Sequence, residues 1–213
     1  MIDSKMKIVH VDPTFVVVEK ASGFLSVPGR GPENQDSVTS RIRQQFPECI
    51  DQPAVHRLDM DTSGLLVVAL TKEAHRNLSI QFQERKTGKV YTALLEGLVA
   101  EVEGTVELPF RLDIDNRPYQ IYDPVYGKTG ITHWQKIGEE GSCSRIIMRP
   151  ITGRTHQLRV HAAHQKGLGV PIVGDPLYGS GEGHGQLKLH ACELSFYHPE
   201  TGEKLTFKSE VPF

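Results

Sequence analysis

Within four residues, His56-Arg57-Leu58-Asp59, the chain sets an imidazole, a guanidinium and a carboxylate, and Asp61, Thr62, Ser63 and Gly64 follow almost at once. Such a set suits acid–base or nucleophilic chemistry. A carboxylate beside a fixed cation stays charged where water is excluded, and a loop held by a rigid element is a common seat for a catalytic group. The rigid element comes next: Leu65-Leu66-Val67-Val68-Ala69-Leu70 is an unbroken apolar run bounded by turn residues, which predicts a strand buried on both faces. The residues alone leave two readings of Asp59. It is either a catalytic carboxylate beside that strand or a turn cap that pairs with Arg57 in solvent.

A second set lies at Pro150-Ile151-Thr152-Gly153-Arg154-Thr155-His156-Gln157-Leu158-Arg159-Val160-His161. Its Thr-Gly turn delivers Arg154 to the start of a predicted helix over 155–165, with Gly167 as the stop. A guanidinium there can face an anion, grip a carboxylate through two hydrogen bonds, or simply enter solvent. Other signatures fail on inspection. Gly127-Lys128-Thr129 has Tyr122 where a phosphate-binding loop needs its first glycine, and a strand pattern follows it instead of a helix. Asp61-Thr62-Ser63-Gly64 has one residue too many for an aspartic-protease turn and no second copy to supply a partner carboxylate. His156, His161 and His164 cluster in sequence without a further ligand of fixed spacing, so no metal site is expected. No serine sits in a Gly-x-Ser-x-Gly elbow.

Composition narrows the class. The chain of 213 residues, with 38% hydrophobic and 23% charged residues, has the make-up of a soluble globular protein and the length of one large domain or two small ones. Its first seven residues mix charges instead of forming a leader, and no stretch approaches the roughly 20 apolar residues of a membrane span. A cytoplasmic location is the expectation. Cys49, Cys143 and Cys192 are odd in number and widely spaced, which fits free thiols rather than a disulfide framework or a CxxC motif. The formal net charge is −2, but Ser142 to Gly174 holds no acid and five bases, Arg145, Arg149, Arg154, Arg159 and Lys166. That segment reads either as a basic face for a polyanion or as an ordinary solvated surface.

The elements that must position these groups alternate irregularly. Strands are predicted at 8–11, 15–20, 90–95, 132–136, 145–148, 188–196 and 204–207, with helices after Asp36 or Ser37 and after Thr71, where Ala74, Leu78 and Phe82 share a face. Strands outnumber helices without a regular βαβ rhythm, so the predicted class is α+β, a mixed and mainly antiparallel sheet in one domain over 1–213.

Taken together and in order, His56-Arg57-Leu58-Asp59 with Thr62-Ser63-Gly64, Val90-Tyr91, Gly153 to Arg159 and Leu189-His190-Ala191 resemble the motifs of the RluA-type pseudouridine synthases. Ser22-Gly23-Phe24-Leu25-Ser26-Val27-Pro28-Gly29-Arg30 and Gly174-Asp175 extend the resemblance over nearly the whole chain, which is most similar to the short members without an amino-terminal S4 RNA-binding domain. The resemblance implies a single catalytic domain with flanking helices and a central RNA-binding cleft. It implies an isomerase that converts uridine to pseudouridine in stem-loops of 23S ribosomal RNA, the tRNA anticodon loop, or both. The nearest alternatives are a synthase confined to one of those RNAs and, more distantly, a non-catalytic RNA-binding protein on the same scaffold.

Carried over residue by residue, the resemblance makes Asp59 the catalytic aspartate, Tyr91 the ring that stacks on the uracil, and Arg154 the partner of Asp59. Arg57 would enter the RNA stack in place of the flipped nucleotide, and His56, Thr62, Gln157 and Arg159 would join it in binding substrate. The implied enzyme needs no cofactor and no metal, binds structured RNA and neither membrane nor nucleotide cofactor, and works as a monomer. The sequence is the same whether Asp59 attacks the sugar carbon, adds to the uracil ring or removes a sugar proton.

Overall fold

The computed structural model describes residues 5–213. Its elements in chain order are β1 (Met6–Val11), β2 (Phe15–Lys20), α1 (Val38–Gln45), β3 (Ser63–Ala69), α2 (Lys72–Gln83), β4 (Gly88–Leu95), β5 (Glu103–Leu112), β6 (Gln120–Tyr122), β7 (Lys128–Glu140), β8 (Cys143–Pro150), α3 (Gln157–Ala163), β9 (Leu189–Tyr197) and β10 (Lys204–Lys208). They fall into two compact units. One runs to Lys89 and resumes at His190–Pro212; the other is Val90–Leu189 with Phe213.

In the first unit β2 pairs antiparallel with β1 and with β3, and β9 pairs antiparallel with β10. A short parallel contact joins β3 to β9, Ser63 beside His190 and Gly64 beside Ala191. All seven residues of β3 are buried, as an apolar run without alternation requires. On one face Leu65, Val67 and Ala69 join Phe15 and Val17 of β2, Ala74 and Leu78 of α2, and Leu194 and Phe196 of β9. Each larger side chain of that cluster contributes about 1.5–3 kcal/mol by leaving water. Thr71 starts α2 as its spacing predicts, accepting the Ala74 N–H on its hydroxyl. Of the two candidates for starting α1, Ser37 makes the cap, in a reciprocal pair with Ser40, while Asp36 pairs with Arg41.

The second unit orders its strands β4-β8-β7-β5-β6, each antiparallel to its neighbours. Alternation with period two buries Val106, Leu108 and Phe110 of β5, Trp134 of β7, and Ile146 and Met148 of β8, with Leu158 and Val160 of α3 against them. Neither β5 nor β6 was among the expected strands. Gly104 and Pro109 interrupt the β5 pattern, yet Pro109 sits where β6 has already ended, so a missing donor on that side breaks no ladder. Helix α3 has seven residues instead of the eleven expected, because His156 takes the left-handed conformation (φ 55°) and the backbone at His164 is extended. The α+β class with a mainly antiparallel sheet is borne out. Among the described residues no helix is long and apolar enough to cross a membrane.

Candidate active site

The two residue sets singled out by the sequence lie on two loops, one in each compact unit. The first holds Asp59, and it is gripped by its own carbonyls. Ser26 Oγ donates to Leu58 O (2.7 Å), Thr62 N to Asp59 O (3.1 Å), Lys20 Nζ to Met60 O (2.8 Å) and Ser22 Oγ to Asp61 O. Four consecutive carbonyls around the carboxylate are therefore fixed, and Ser26 Oγ also accepts the Leu58 N–H (3.1 Å). Three of the four donors come from the segment Lys20–Ser26. The pairing of β2 with β3 explains why: Lys20 lies opposite Gly64, beside the point where the Asp59 loop enters β3. Gly64 must be glycine, since it has φ 110° and an added Cβ would lie 2.4 Å from Ala191 O of β9.

Lys20 is the unexpected member. It has no solvent exposure, and its ammonium also donates to Ala21 O (2.9 Å) and Phe24 O (2.7 Å). Burial pushes its pKa down to about 7, against the pull of the nearby Asp61 and Asp59 carboxylates. Sequence reasoning assigned it nothing, although a signal exists. Period-two alternation puts Lys20 on the same face of β2 as Val16 and Val18, both buried, so a buried cation was readable there.

The other first-unit residues divide. Arg57 is exposed and Asp59 half-buried. His56 instead turns inward: its Nε2 accepts the Val67 N–H (3.1 Å) and its ring stacks on Phe82 at 4.3 Å. A nitrogen that accepts an amide proton carries none itself, and burial first, then the Lys89 charge, holds the His56 pKa at about 3. His56 is thus a neutral strut beneath the loop. Thr62 is buried, and its N–H closes the turn onto Asp59 O.

In the second unit the Arg154 turn is held by side chains. Gln157, buried, accepts the Arg154 N–H (3.1 Å) and the Thr152 hydroxyl (2.7 Å) on Oε1, and donates from Nε2 to Ile131 O (3.0 Å) and Thr132 Oγ1 (2.9 Å). The Arg154 side chain is exposed. Tyr91, on β4 opposite Met148, is half-buried against the core of the unit. Arg159 is buried and bound through two hydrogen bonds, 2.9 and 2.6 Å, to the fully buried Asp175. Gln157 and Arg159 are accordingly spent on the scaffold. His161 is buried with neither ring nitrogen hydrogen-bonded, edge-on to Phe110, and burial pushes its pKa down to about 4.

The acid-free stretch is less of a basic face than its charge count suggests. Arg145 pairs with Glu140 and Arg159 with Asp175, leaving Arg149, Arg154 and Lys166 exposed. Among the described residues no group of three His, Cys, Asp or Glu is placed to hold a metal.

Comparison with known proteins follows the same lines. Residues 14–164 match the sequence family described as RNA pseudouridylate synthase. The chain is 45% identical over 212 residues to the Dual-specificity RNA pseudouridine synthase RluA of Yersinia pestis, covering 98% of this chain and all of that one. With the protein of the same name from Escherichia coli K12 it shares 44% over 210 residues, 97% of this chain and 93% of that one. Among solved structures, Human RNA Pseudouridylate Synthase Domain Containing 1 matches with a TM-score of 0.76 at 30% identity, over 98% of this chain and 84% of that one. Human RNA Pseudouridylate Synthase Domain Containing 4 has the same TM-score at 22% identity, over 96% of this chain and 88% of that one, which speaks to the fold alone.

Proposed function

The chain belongs to the RNA pseudouridylate synthase family, and on that premise we propose that it isomerises uridines in stem-loops of both 23S ribosomal RNA and the tRNA anticodon arm. The observation that carries the reading is the Asp59 loop, a carboxylate whose neighbouring carbonyls are all fixed from within, in a chain so similar along its length to dual-specificity synthases. A group meant to meet one sugar carbon in a large substrate gains most from such fixation.

In the proposed reaction the N1–C1′ bond of uridine breaks, the uracil turns, and C5 bonds to C1′. The proton lost from C5 is balanced by one gained at N1. Nothing is oxidised or consumed, so the chemistry calls for no cofactor. Asp59 is the catalytic carboxylate, Arg154 its guanidinium partner, and Tyr91 the ring on which the detached base turns by its face. Arg57, exposed beside Asp59, fills the RNA stack once the uridine is flipped and offsets part of an unstacking cost of a few kcal/mol. His56, Thr62, Gln157 and Arg159 support this reading as scaffold, their polar groups being turned inward. The proposal takes residues 1–213 as one catalytic domain, supported by a family match that runs through residue 89, where the first unit pauses, and includes a cytoplasmic monomer.

The test uses RNA hairpins labelled with tritium at uridine C5, since forming the new bond releases that hydrogen to water. Wild type releases tritium from an anticodon-arm hairpin and from a ribosomal hairpin. Asp59→Asn, which keeps shape and deletes charge, binds both and releases none. Release by that variant at more than a trace rate removes Asp59 from its role. Release from one RNA class alone selects the narrower enzyme, and RNA binding without release by wild type selects the non-catalytic alternative.

A further inference from the structure

His156 is one of only two non-glycine residues among those described with positive φ, and it lies two positions beyond Arg154. Left-handed backbone is sparsely populated by residues with a side chain, so something must hold it there. The hold is a phenol. His156 Nδ1 meets Tyr178 Oη at 2.9 Å, and the two rings meet edge to face at 5.7 Å. Tyr178 is itself fixed from every side. Its N–H donates to the buried Asp175 carboxylate (3.1 Å), the Arg159 guanidinium lies over its ring at 5.3 Å, the Tyr119 ring meets it edge-on at 5.9 Å, and its hydroxyl accepts the N–H of Gln120, the first residue of β6 (2.8 Å).

The phenol oxygen thus meets two groups at once, the Gln120 N–H on one side and His156 Nδ1 on the other, and one hydroxyl ties the start of β6 to the turn. The Arg154 turn is then fixed at both ends. Gln157 accepts the Arg154 N–H and donates its own N–H to Arg154 O (3.1 Å), while His156, between them, is tied to Tyr178.

We propose that Tyr178, through its hydrogen bond to His156, is a positioning residue that sets the turn presenting Arg154 for the isomerisation. The inference rests on the functional reading above and adds to it a residue outside the set of Asp59, Tyr91 and Arg154. Its cause is local: the buried Asp175–Arg159 pair anchors a tyrosine, the tyrosine fixes a left-handed histidine, and the histidine fixes the arginine two residues before it.

The test is a double-mutant cycle in single-turnover pseudouridine formation. Tyr178→Phe keeps the ring under Arg159 and removes only the hydroxyl. It should slow the wild-type rate about tenfold, within the range expected of a misplaced group away from the chemistry. RNA affinity and melting temperature should stay close to wild type. In an Arg154→Lys background the same change should slow the residual rate less than twofold, because its effect passes through Arg154. As a second arm, His156→Asn, which tolerates left-handed backbone, should keep more of the rate than His156→Ala. A wild-type rate in Tyr178→Phe overturns the proposal, as does an equal loss in both backgrounds, a loss matched by falling melting temperature, or no difference between His156→Asn and His156→Ala. Activity of wild type and inactivity of Asp59→Asn are read separately; a wild type with no activity on any RNA overturns the functional reading and this inference with it.

Discussion

The Asp59 loop and the Arg154 turn each bear one group of the proposed reaction, and they are held in opposite ways. Around Asp59 the grip falls on main-chain carbonyls, supplied by Lys20, Ser22, Ser26 and the Thr62 N–H. At Arg154 side chains do most of the holding, with Gln157 on one side and the His156–Tyr178 bond on the other. A loop fixed by its carbonyls keeps its path whatever side chain stands at position 59. A turn fixed by side-chain relays depends on single atoms. The Asp59 loop should therefore fail through stability when its clamp is cut, and the Arg154 turn through rate.

The largest effect that sharpens this contrast is at Arg154 itself. Lysine keeps the charge and loses the planar fork, so Arg154→Lys should reduce the single-turnover rate about 10²-fold with RNA affinity nearly unchanged. A rate close to wild type would show that charge alone suffices there, and the proposed pairing with Asp59 would go.

Lys20→Met asks the opposite question. It fills similar volume and strips three carbonyls, one buried and two partly buried, of a donor, so a loss of about 2 kcal/mol in urea unfolding is expected. Turnover should fall only severalfold, since Ser22, Ser26 and Thr62 still hold the loop. A large rate loss at unchanged stability would mean that the clamp acts on the chemistry and would erase the difference between the two regions.

How much of this was legible in the sequence depends on how far each residue's partner lies along the chain. The run Leu65–Leu70 announced a strand buried on both faces, and Thr71 announced the helix after it, because both signals are local. Asp59, Arg57 and Arg154 were singled out from their own neighbourhoods, and Asp59 lies half-buried while the two arginines are exposed. What was missed depends on distant partners. Lys20 finds Met60 across 40 residues, and alternation gave its face without its partner. Arg159 counted as a surface cation until Asp175, 16 residues on, took it inside. The length of α3 was overestimated because nothing near His156 foretells that Tyr178 holds it left-handed.

Acid separates the regions more gently. His56 and His161 have folded pKa values of about 3 and about 4, below the unfolded value of about 6.5, so both are neutral in the fold. Their contribution is fully present above pH 6.5 and is lost as pH falls from there towards 4 and 3, as the unfolded chain takes up protons first. Between pH 8 and pH 5 each should cost up to about 2 kcal/mol of unfolding free energy. His161→Leu should flatten that dependence by its share and leave stability at pH 8 equal or higher, because no buried nitrogen then lacks a partner. An unchanged pH dependence in that variant would assign the acid sensitivity elsewhere.

The smallest expected effect is on RNA binding. Lys166→Ala and Arg149→Ala, both removing exposed cations, should each lower the slope of log affinity against log salt by about 1 if those cations meet phosphate. Arg145→Ala should change it less, because Glu140 already neutralises that charge. Equal slopes in all three variants would place the phosphate contacts outside the acid-free stretch.

The central claim, that Asp59 converts uridines in both ribosomal and transfer RNA, is tested most directly by mapping pseudouridines in total RNA from cells lacking the gene and complemented with wild type or Asp59→Asn. The account predicts that wild type restores specific pseudouridines in 23S ribosomal RNA and in tRNA anticodon arms while Asp59→Asn restores none. Identical maps in all three strains, or restoration by Asp59→Asn, would contradict it.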